Sequence, residues 1–261
     1  MSFGARETKI LTGRWYEELG RALRDVTDLV TFNYGWKDEA GAWSALALEP
    51  EEELSRFPLN LYFRVAAAAE VQGRDVLEVG CGRGGGARFV SRVLAPRRYF
   101  GVDRSHEGVS FAKARPLPAC LAFMLGDAER LPAEDESFDV VLSVESAHAY
   151  GAYGRFLKEV QRVLRAGGLL SLADFGRAED RGALEAALSE AKLETVEAHD
   201  LTQGVRQSIA AREPSLRGIA ERLEEPLRDR FLSFAAIPGT VLERALADGQ
   251  VTYFHLLARK A

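Results

Sequence analysis

Apolar residues recur at three- and four-residue spacing through Trp15, Leu19, Ala22, Leu23, Val26, Leu29 and Val30, which predicts a helix over 14–30. An aromatic stretch with a turn signal, Thr-Phe-Asn-Tyr-Gly-Trp, follows at 31–36. Residues 50–70 return to helical spacing, with Pro50 and Glu51–Glu53 suited to a first turn. From residue 75 the texture changes to short, continuous apolar runs separated by amphipathic ones. Strands are expected at 75–79, 99–102, 121–125, 138–144 and 169–173. Helices are expected at 87–95, 106–114 and 152–164, the last stopped by a glycine cap at Ala166-Gly167-Gly168. Beyond these, 181–192 reads as helix and 193–199 as strand. Helical pieces fill 203–249, broken by Pro214, Pro226 and Pro238, and a last strand spans 251–258. Apolar strands alternating with helices predict an α/β fold, a parallel sheet covered on both faces.

Composition narrows the class. A chain of 261 residues buries roughly 70–75% of its unfolded surface, so it needs no disulfide or metal staple. Its 47% hydrophobic and 28% charged content is that of a globular enzyme rather than a disordered or fibrous chain. A net charge of −5 argues against nucleic-acid partners held by phosphate neutralisation. The two cysteines, Cys81 and Cys120, and four dispersed histidines have no zinc-ligand spacing, and no metal is expected. The first ten residues lack the apolar core of a secretory signal, and no apolar run approaches membrane-spanning length. The expectations are therefore a cytoplasmic location, no membrane insertion and a small-molecule substrate.

The glycine-rich segment Val-Gly-Cys-Gly-Arg-Gly-Gly-Gly at 79–86 follows a predicted strand and opens a helix. Gly80, Gly82 and Gly85 satisfy a nucleotide-type loop, and Asp103 follows at the spacing of a ribose contact. A tight turn with no ligand would read the same way. Glu78 distinguishes among cofactors, because a carboxylate two residues before the first glycine would repel a pyrophosphate. It would welcome an ammonium group, which S-adenosyl-L-methionine carries. Asp103 would then accept from both ribose hydroxyls. Asp127 would accept from the adenine amino group, with the Ala128 N–H facing a ring nitrogen.

The series Val-Leu-Glu-Val-Gly-Cys-Gly-Arg-Gly, Gly-Val-Asp, Gly-Asp-Ala-Glu-Arg-Leu-Pro, Ser-Phe-Asp-Val-Val and Arg-Val-Leu-Arg-Ala-Gly-Gly, in order over 73–174, resembles class I S-adenosylmethionine-dependent methyltransferases. The flanks Phe-Asn-Tyr-Gly-Trp (32–36) and Val-Glu-Ser-Ala-His-Ala-Tyr (144–150) resemble bacterial small-molecule methyltransferases that act on polyketides, glycosylated antibiotics and glycolipid precursors. The resemblance implies a Rossmann-like, doubly wound sheet of seven strands whose last strand is antiparallel. It also implies a helical N-terminal lid over 1–72, a core over 73–261, and a helical substrate-binding insertion at 200–249 before the last strand. S-adenosyl-L-homocysteine would be the product. Cofactor contacts are expected from Glu78, Gly80, Cys81, Gly82, Gly84, Asp103, Asp127, Ala128 and Glu145. Arg104 stands where the family places an apolar residue on adenine, and its guanidinium can stack there instead.

Methyl transfer to a hydroxyl profits from a general base. His148 lies just beyond strand 138–144, and Asp174 ends the next strand, so the two can form a dyad in which the acid orients the base. The plain alternative makes His148 a helix-start residue and Asp174 an N-cap. Tyr16 and Tyr34, with Trp15, Phe32 and Trp36, could close over a sulfonium by cation–π contact, or form the lid's own core. Cys81 reads as packing, Ser146 as pocket lining or an N-cap, and His106 and His255 as structural. The expected activity is O-methylation of a small, largely apolar bacterial metabolite. The alternatives are C-methylation of a polyketide, isoprenoid or quinone, a non-methylating reaction such as cyclisation, and a silent cofactor-binding module. No Asn-Pro-Pro-Tyr motif follows the fourth strand, which disfavours nucleic-acid methylation.

Overall fold

The computed structural model describes residues 5–38 and 46–261, with the side chains of 5–8 excepted. Parts of the expected lid, residues 1–4 and 39–45, lie outside the described residues. Helix α1 (Ala5–Ala22) leads through an irregular segment and a 3-10 turn (Pro50–Ser55) into α2 (Arg56–Ala68). The core then runs β1 (Asp75–Val79), α3 (Gly85–Val93), β2 (Arg98–Asp103), α4 (His106–Lys113), β3 (Leu121–Leu125) and β4 (Phe138–Val144). After a 3-10 turn (Ala147–Ala149) come α5 (Tyr153–Val163), β5 (Leu164–Gly176), α6 (Ala178–Glu190) and β6 (Leu193–Asp200). Three helices, α7 (Thr202–Ala220), α8 (Leu227–Phe234) and α9 (Val241–Ala247), precede β7 (Thr252–Lys260).

The strands form one seven-stranded sheet in the order β3-β2-β1-β4-β5-β7-β6, with β7 antiparallel to both neighbours. Successive residues of each strand feed opposite faces. Val76, Val140 and Leu169 join α2, α3 and α7 on one side. Leu77, Val141 and Leu170 join α5 and α6 on the other. A third apolar cluster packs α1 and the segment after it against α7 and α8, through Leu19, Leu23, Leu29, Leu216 and Phe231. The chain winds from β1 to β2 and β3 in one direction, then crosses to β4 on the other side of β1. That reversal opens a crevice at the carboxyl ends of β1 and β4, where open α/β sheets bind ligands.

Three local expectations are corrected. Gly167-Gly168 does not cap α5. The helix ends at Val163, Leu164 is already extended, and β5 begins there. Phe138 pairs with Leu164 but Val140 with Leu169, so residues 165–168 bulge opposite Asp139, and Gly167 takes φ +74° within that bulge. Pro214 does not break its helix, because α7 continues through it with Val205, Ile209, Leu216 and Ile219 buried along its length. The first helix lies at 5–22 rather than 14–30. Asp25, Thr27 and Asp28 favour turns, and Val26, Leu29 and Val30 are buried from irregular backbone.

Candidate active site

A cavity of about 580 Å³ occupies the crevice. Its floor is the glycine loop after β1, its sides are the ends of β2, β3 and β4, and its roof is α1 with Thr31–Asn33. Gly80 turns back at φ +79°, and any Cβ there would strike the Ser146 side chain. Ser146 and Tyr150 both donate to the Val79 carbonyl, at 3.1 and 2.8 Å, and fix this approach. Gly82, at φ +52°, lines the cavity with open space where a Cβ would stand. Gly84 serves packing, since a Cβ there would meet Phe123 and Ala112.

Asp103 ends β2 facing the cavity, and its carboxylate accepts from the Gly82 and Ser105 N–H groups at 2.7 and 2.8 Å. Burial raises its pKa against these hydrogen bonds. Cys81, Arg104, Asp127, Ala128 and Tyr16 also line the cavity. Asp127 is engaged by Lys9 of α1 at 2.8 Å; burial alone would raise its pKa, but Lys9 holds it below the usual carboxylate range. Arg104 donates to the Lys9 carbonyl at 2.7 Å, and Arg21 pairs with Glu107 at 3.5 Å, so α1 is tied to the rim by several polar contacts.

Three expected contacts fall elsewhere: those of Glu78, of Tyr34 and of Gly84, which packs against Phe123 and Ala112. Glu78 is fully buried beneath the loop, where the Tyr62 and Tyr99 hydroxyls donate to it at 2.8 and 2.9 Å. Burial pushes its pKa up to about 7, and it is not part of the cavity wall. Tyr34 packs on Phe175 outside the cavity, while its backbone N–H donates to Glu145. Glu145 does line the cavity, from a left-handed backbone at φ +52° that a non-glycine residue adopts only at a cost. Its carboxylate also accepts from the Tyr253 hydroxyl at 2.9 Å, and burial pushes its pKa up to about 8.

His148 and Asp174 meet directly. Nδ1 of His148 lies 2.7 Å from Oδ1 of Asp174, and the His148 backbone N–H donates to Oδ2 at 2.9 Å. The imidazole packs on Phe175 with ring centroids 4.6 Å apart and stays 27% exposed. Burial opposes its charge, but Asp174, by charge and hydrogen bond, and Glu145 raise its pKa above the ordinary histidine value. Its neighbours Ser146 and Ala149 line the cavity, whereas His148 itself stands just beside that wall.

The cavity suits a nucleoside with an amino-acid tail better than a dinucleotide. The Gly85 N–H, in the first turn of α3, is given to the Val30 carbonyl at 3.1 Å, which occupies part of a pyrophosphate's seat. The acids Asp103, Asp127 and Glu145 along the wall suit hydroxyl, amino and ammonium donors.

A profile described as a methyltransferase domain matches residues 77–172. The phthiotriol/phenolphthiotriol dimycocerosates methyltransferase of Mycobacterium tuberculosis is 37% identical over 92% of this chain and 88% of that protein. The chain belongs to the class I S-adenosylmethionine-dependent methyltransferases. The fatty-acid O-methyltransferase of Mycolicibacterium smegmatis is 37% identical over 81% of this chain and 76% of its own length. Among solved structures, a geranyl diphosphate methyltransferase with sinefungin superposes with TM-score 0.72 at 17% identity, covering 97% of this chain and all of that one. The cyclase SpnF does so at 0.71 and 22% identity, covering 94% of each. These two establish likeness of fold.

Sequence reasoning gave the methyltransferase's strand-end acids but missed Lys9, the Ser146–Tyr150 pair on Val79 and Arg83. Arg83 is buried in the glycine loop, over the Phe111 ring at 3.4 Å, and donates to the Val26 carbonyl at 2.8 Å. Only the four-residue spacing of Ser146 and Tyr150 was visible beforehand as a signal.

Proposed function

We propose that this methyltransferase methylates a hydroxyl of a small, largely apolar metabolite of polyketide, glycoside or lipid-like type, with His148 as general base and Asp174 orienting it. The 2.7 Å contact between His148 Nδ1 and Asp174, one residue from the cavity wall, supports this reading. The two mycobacterial relatives, named for methylating phthiotriol/phenolphthiotriol dimycocerosates and fatty acids, support an acceptor of lipid-like type.

S-adenosyl-L-methionine, when bound, supplies an electrophilic methyl group, and S-adenosyl-L-homocysteine is left. Asp103 and the glycine loop would hold the ribose and methionine ends, and Asp127 with Ala128 the adenine. Helix α1 lies over the cavity and would help to exclude water from it. The Asp174 carboxylate fixes the imidazole with Nδ1 as donor, which leaves Nε2 to take the acceptor's proton. Aligning the reactants contributes up to about 7–11 kcal/mol, and the base a further 10²–10⁴-fold or so.

A second reading, methylation at carbon, draws on the position of His148 beside the cavity wall rather than in it. Isotope-labelled methyl donor offered with a panel of hydroxylated acceptors decides between them. Label on oxygen, lost in His148→Ala with cofactor affinity kept, supports O-methylation. Label on carbon overturns it.

A further inference from the structure

Asp127 stands at the cavity rim just beyond β3, and Lys9 reaches it from α1 on the roof; both residues line the cavity. Lys9 Nζ lies 2.8 Å from each carboxylate oxygen of Asp127 and 3.1 Å from Oε2 of Glu129. An ammonium carries three N–H donors, so these contacts occupy all of them. Asp127 Oδ1 also accepts from the Glu129 backbone N–H at 3.0 Å. A carboxylate has about four acceptor sites, shared between its oxygens. Lys9 and the Glu129 N–H fill Oδ1, Lys9 takes part of Oδ2, and the rest of Oδ2 stays open. The pair thus offers a ligand an acceptor and no donor.

Lys9 is itself held in place. Arg155 pairs with the same Glu129 oxygen at 3.1 Å, and Arg104 Nη1 donates to the Lys9 carbonyl at 2.7 Å. Gly13, one turn further along α1, makes room for Arg104, since a Cβ there would come within 2.9 Å of the guanidinium. Helix α1 therefore touches both Asp127 and Arg104, the two groups expected around adenine. Burial would raise the Asp127 pKa, but Lys9 and the Glu129 N–H keep it below the usual carboxylate range, so Asp127 remains an acceptor at neutral pH.

We propose that Lys9 is a positioning and specificity residue of the cofactor site. By spending its donors on Asp127 and Glu129, it fixes the Asp127 carboxylate with an open acceptor that takes the 6-amino group of adenine and rejects a 6-oxopurine. A 6-oxo group would set its own lone pairs against the carboxylate, with no Lys9 proton left to bridge them, and a buried polar mismatch of this kind discriminates strongly. Because Lys9 belongs to the roof, adenine recognition is complete only when α1 lies over the cavity. This inference rests on the placement of adenine at Asp127 given above.

The test measures S-adenosyl-L-homocysteine and its 6-oxo counterpart, S-inosyl-L-homocysteine, by calorimetry on the full chain at pH 8. The parent is expected to prefer the amino ligand at least about tenfold, the scale of one hydrogen bond to a charged group. Lys9→Met leaves the carboxylate free to turn and should weaken the amino ligand about three- to tenfold, with little change for the 6-oxo ligand. Lys9→Arg keeps the charge but has five N–H donors, so a spare one serves the 6-oxo group. Amino-ligand affinity then holds while the preference narrows by about threefold or more, and this variant decides the matter should Lys9→Met not fold. The Ala128 N–H contributes to the preference equally in every variant, so the differences between variants read Lys9. In an Asp127→Asn background Lys9→Met should have no further effect, whereas loss of roof packing alone would add in full and overturn the proposal. If Asp127→Asn keeps the parent's affinity and preference, the placement of adenine falls and the role of Lys9 with it. If Asp127→Asn weakens the amino ligand but both Lys9 variants match the parent, or Lys9→Met binds it more tightly, the role of Lys9 falls and the placement stands.

Discussion

Asp174→Asn is the perturbation that most directly tests the His148 dyad. The Asp174 carboxylate accepts three hydrogen bonds: Oδ1 from His148 Nδ1 and the Phe175 N–H, and Oδ2 from the His148 N–H. Asparagine offers one oxygen. If that oxygen keeps the imidazole, its amide N–H₂ confronts the His148 backbone N–H, an unsatisfied contact worth about 1–3 kcal/mol. The charge is lost in either orientation. A carboxylate beside an ionisable group moves its pKa by about 1–3 units, each worth 1.36 kcal/mol or so. His148 now sits above its ordinary value, with Asp174 as the principal cause of the increase. The base form of the parent enzyme is therefore depleted at a higher pH than in an ordinary histidine. In Asp174→Asn the acid limb of kcat should move to lower pH, while the plateau falls because the imidazole is no longer held. Stability should respond with the opposite sign. A raised histidine pKa adds stability below its unfolded value, and that contribution disappears as pH rises through the folded value. Asp174→Asn should thus cost more stability at pH 5 than at pH 9 or so, as read by urea unfolding. An acid limb that stays in place in this variant would refute the dyad as the source of the profile.

Further expectations concern the cofactor floor, the buried acid beneath it and the lid. Asp103→Ala should weaken S-adenosyl-L-homocysteine binding at least tenfold or so, since it removes a charged acceptor and releases the Gly82 N–H it holds; calorimetry reads this directly. Glu78, pushed up to about 7, favours the folded state while protonated, and this contribution is lost as pH rises from the unfolded value near 4.5 through 7. Glu78→Gln should therefore flatten the decline in stability between pH 5 and 8 by an amount on the order of 3 kcal/mol, and an unchanged slope in urea titrations would rule this out. Hydrogen exchange in α1 should slow on adding S-adenosyl-L-homocysteine, and Lys9→Met should speed it without ligand; equal protection in every state would make α1 fixed core rather than a lid.

The sheet was legible because each core strand is an apolar run bounded by turn chemistry. Strands 121–125 and 138–144 match to the residue. Errors arose where one residue type serves two purposes. Gly167-Gly168 reads as a helix stop, yet the pair relieves a strand bulge whose cause, the register of β4 against β5, is not local. Pro214 reads as a break, but apolar residues before and after it are buried together and hold α7 straight through it. The helical spacing of Val26, Leu29 and Val30 reports burial correctly and secondary structure wrongly, because burial of Val26 and Leu29 against α7 and α8, and of Val30 beside Gly85, imposes the same pattern on irregular chain.

The site shows the same division more sharply. Acids at strand ends were found because a parallel sheet places them on one rim whatever the helices do. Glu78 was assigned to the cofactor from its distance to the glycines, but strand alternation decides its direction. Val79 belongs to the face covered by α5 and α6, so Glu78 points to the other face, where Tyr62 of α2 and Tyr99 of β2 enclose it. A different group stands in a pyrophosphate's seat. The Val30 carbonyl, carried by the segment after α1, takes the N–H of Gly85. The group that takes this N–H at the helix terminus thus comes from the N-terminal segment, 55 residues before Gly85 in the chain. Arg83 strengthens that link by donating to Leu23 and Val26 of the same segment. The glycine loop and the N-terminal segment are tied together, so a change in either reaches the floor and the roof of the cavity, through contacts that no local spacing could have revealed.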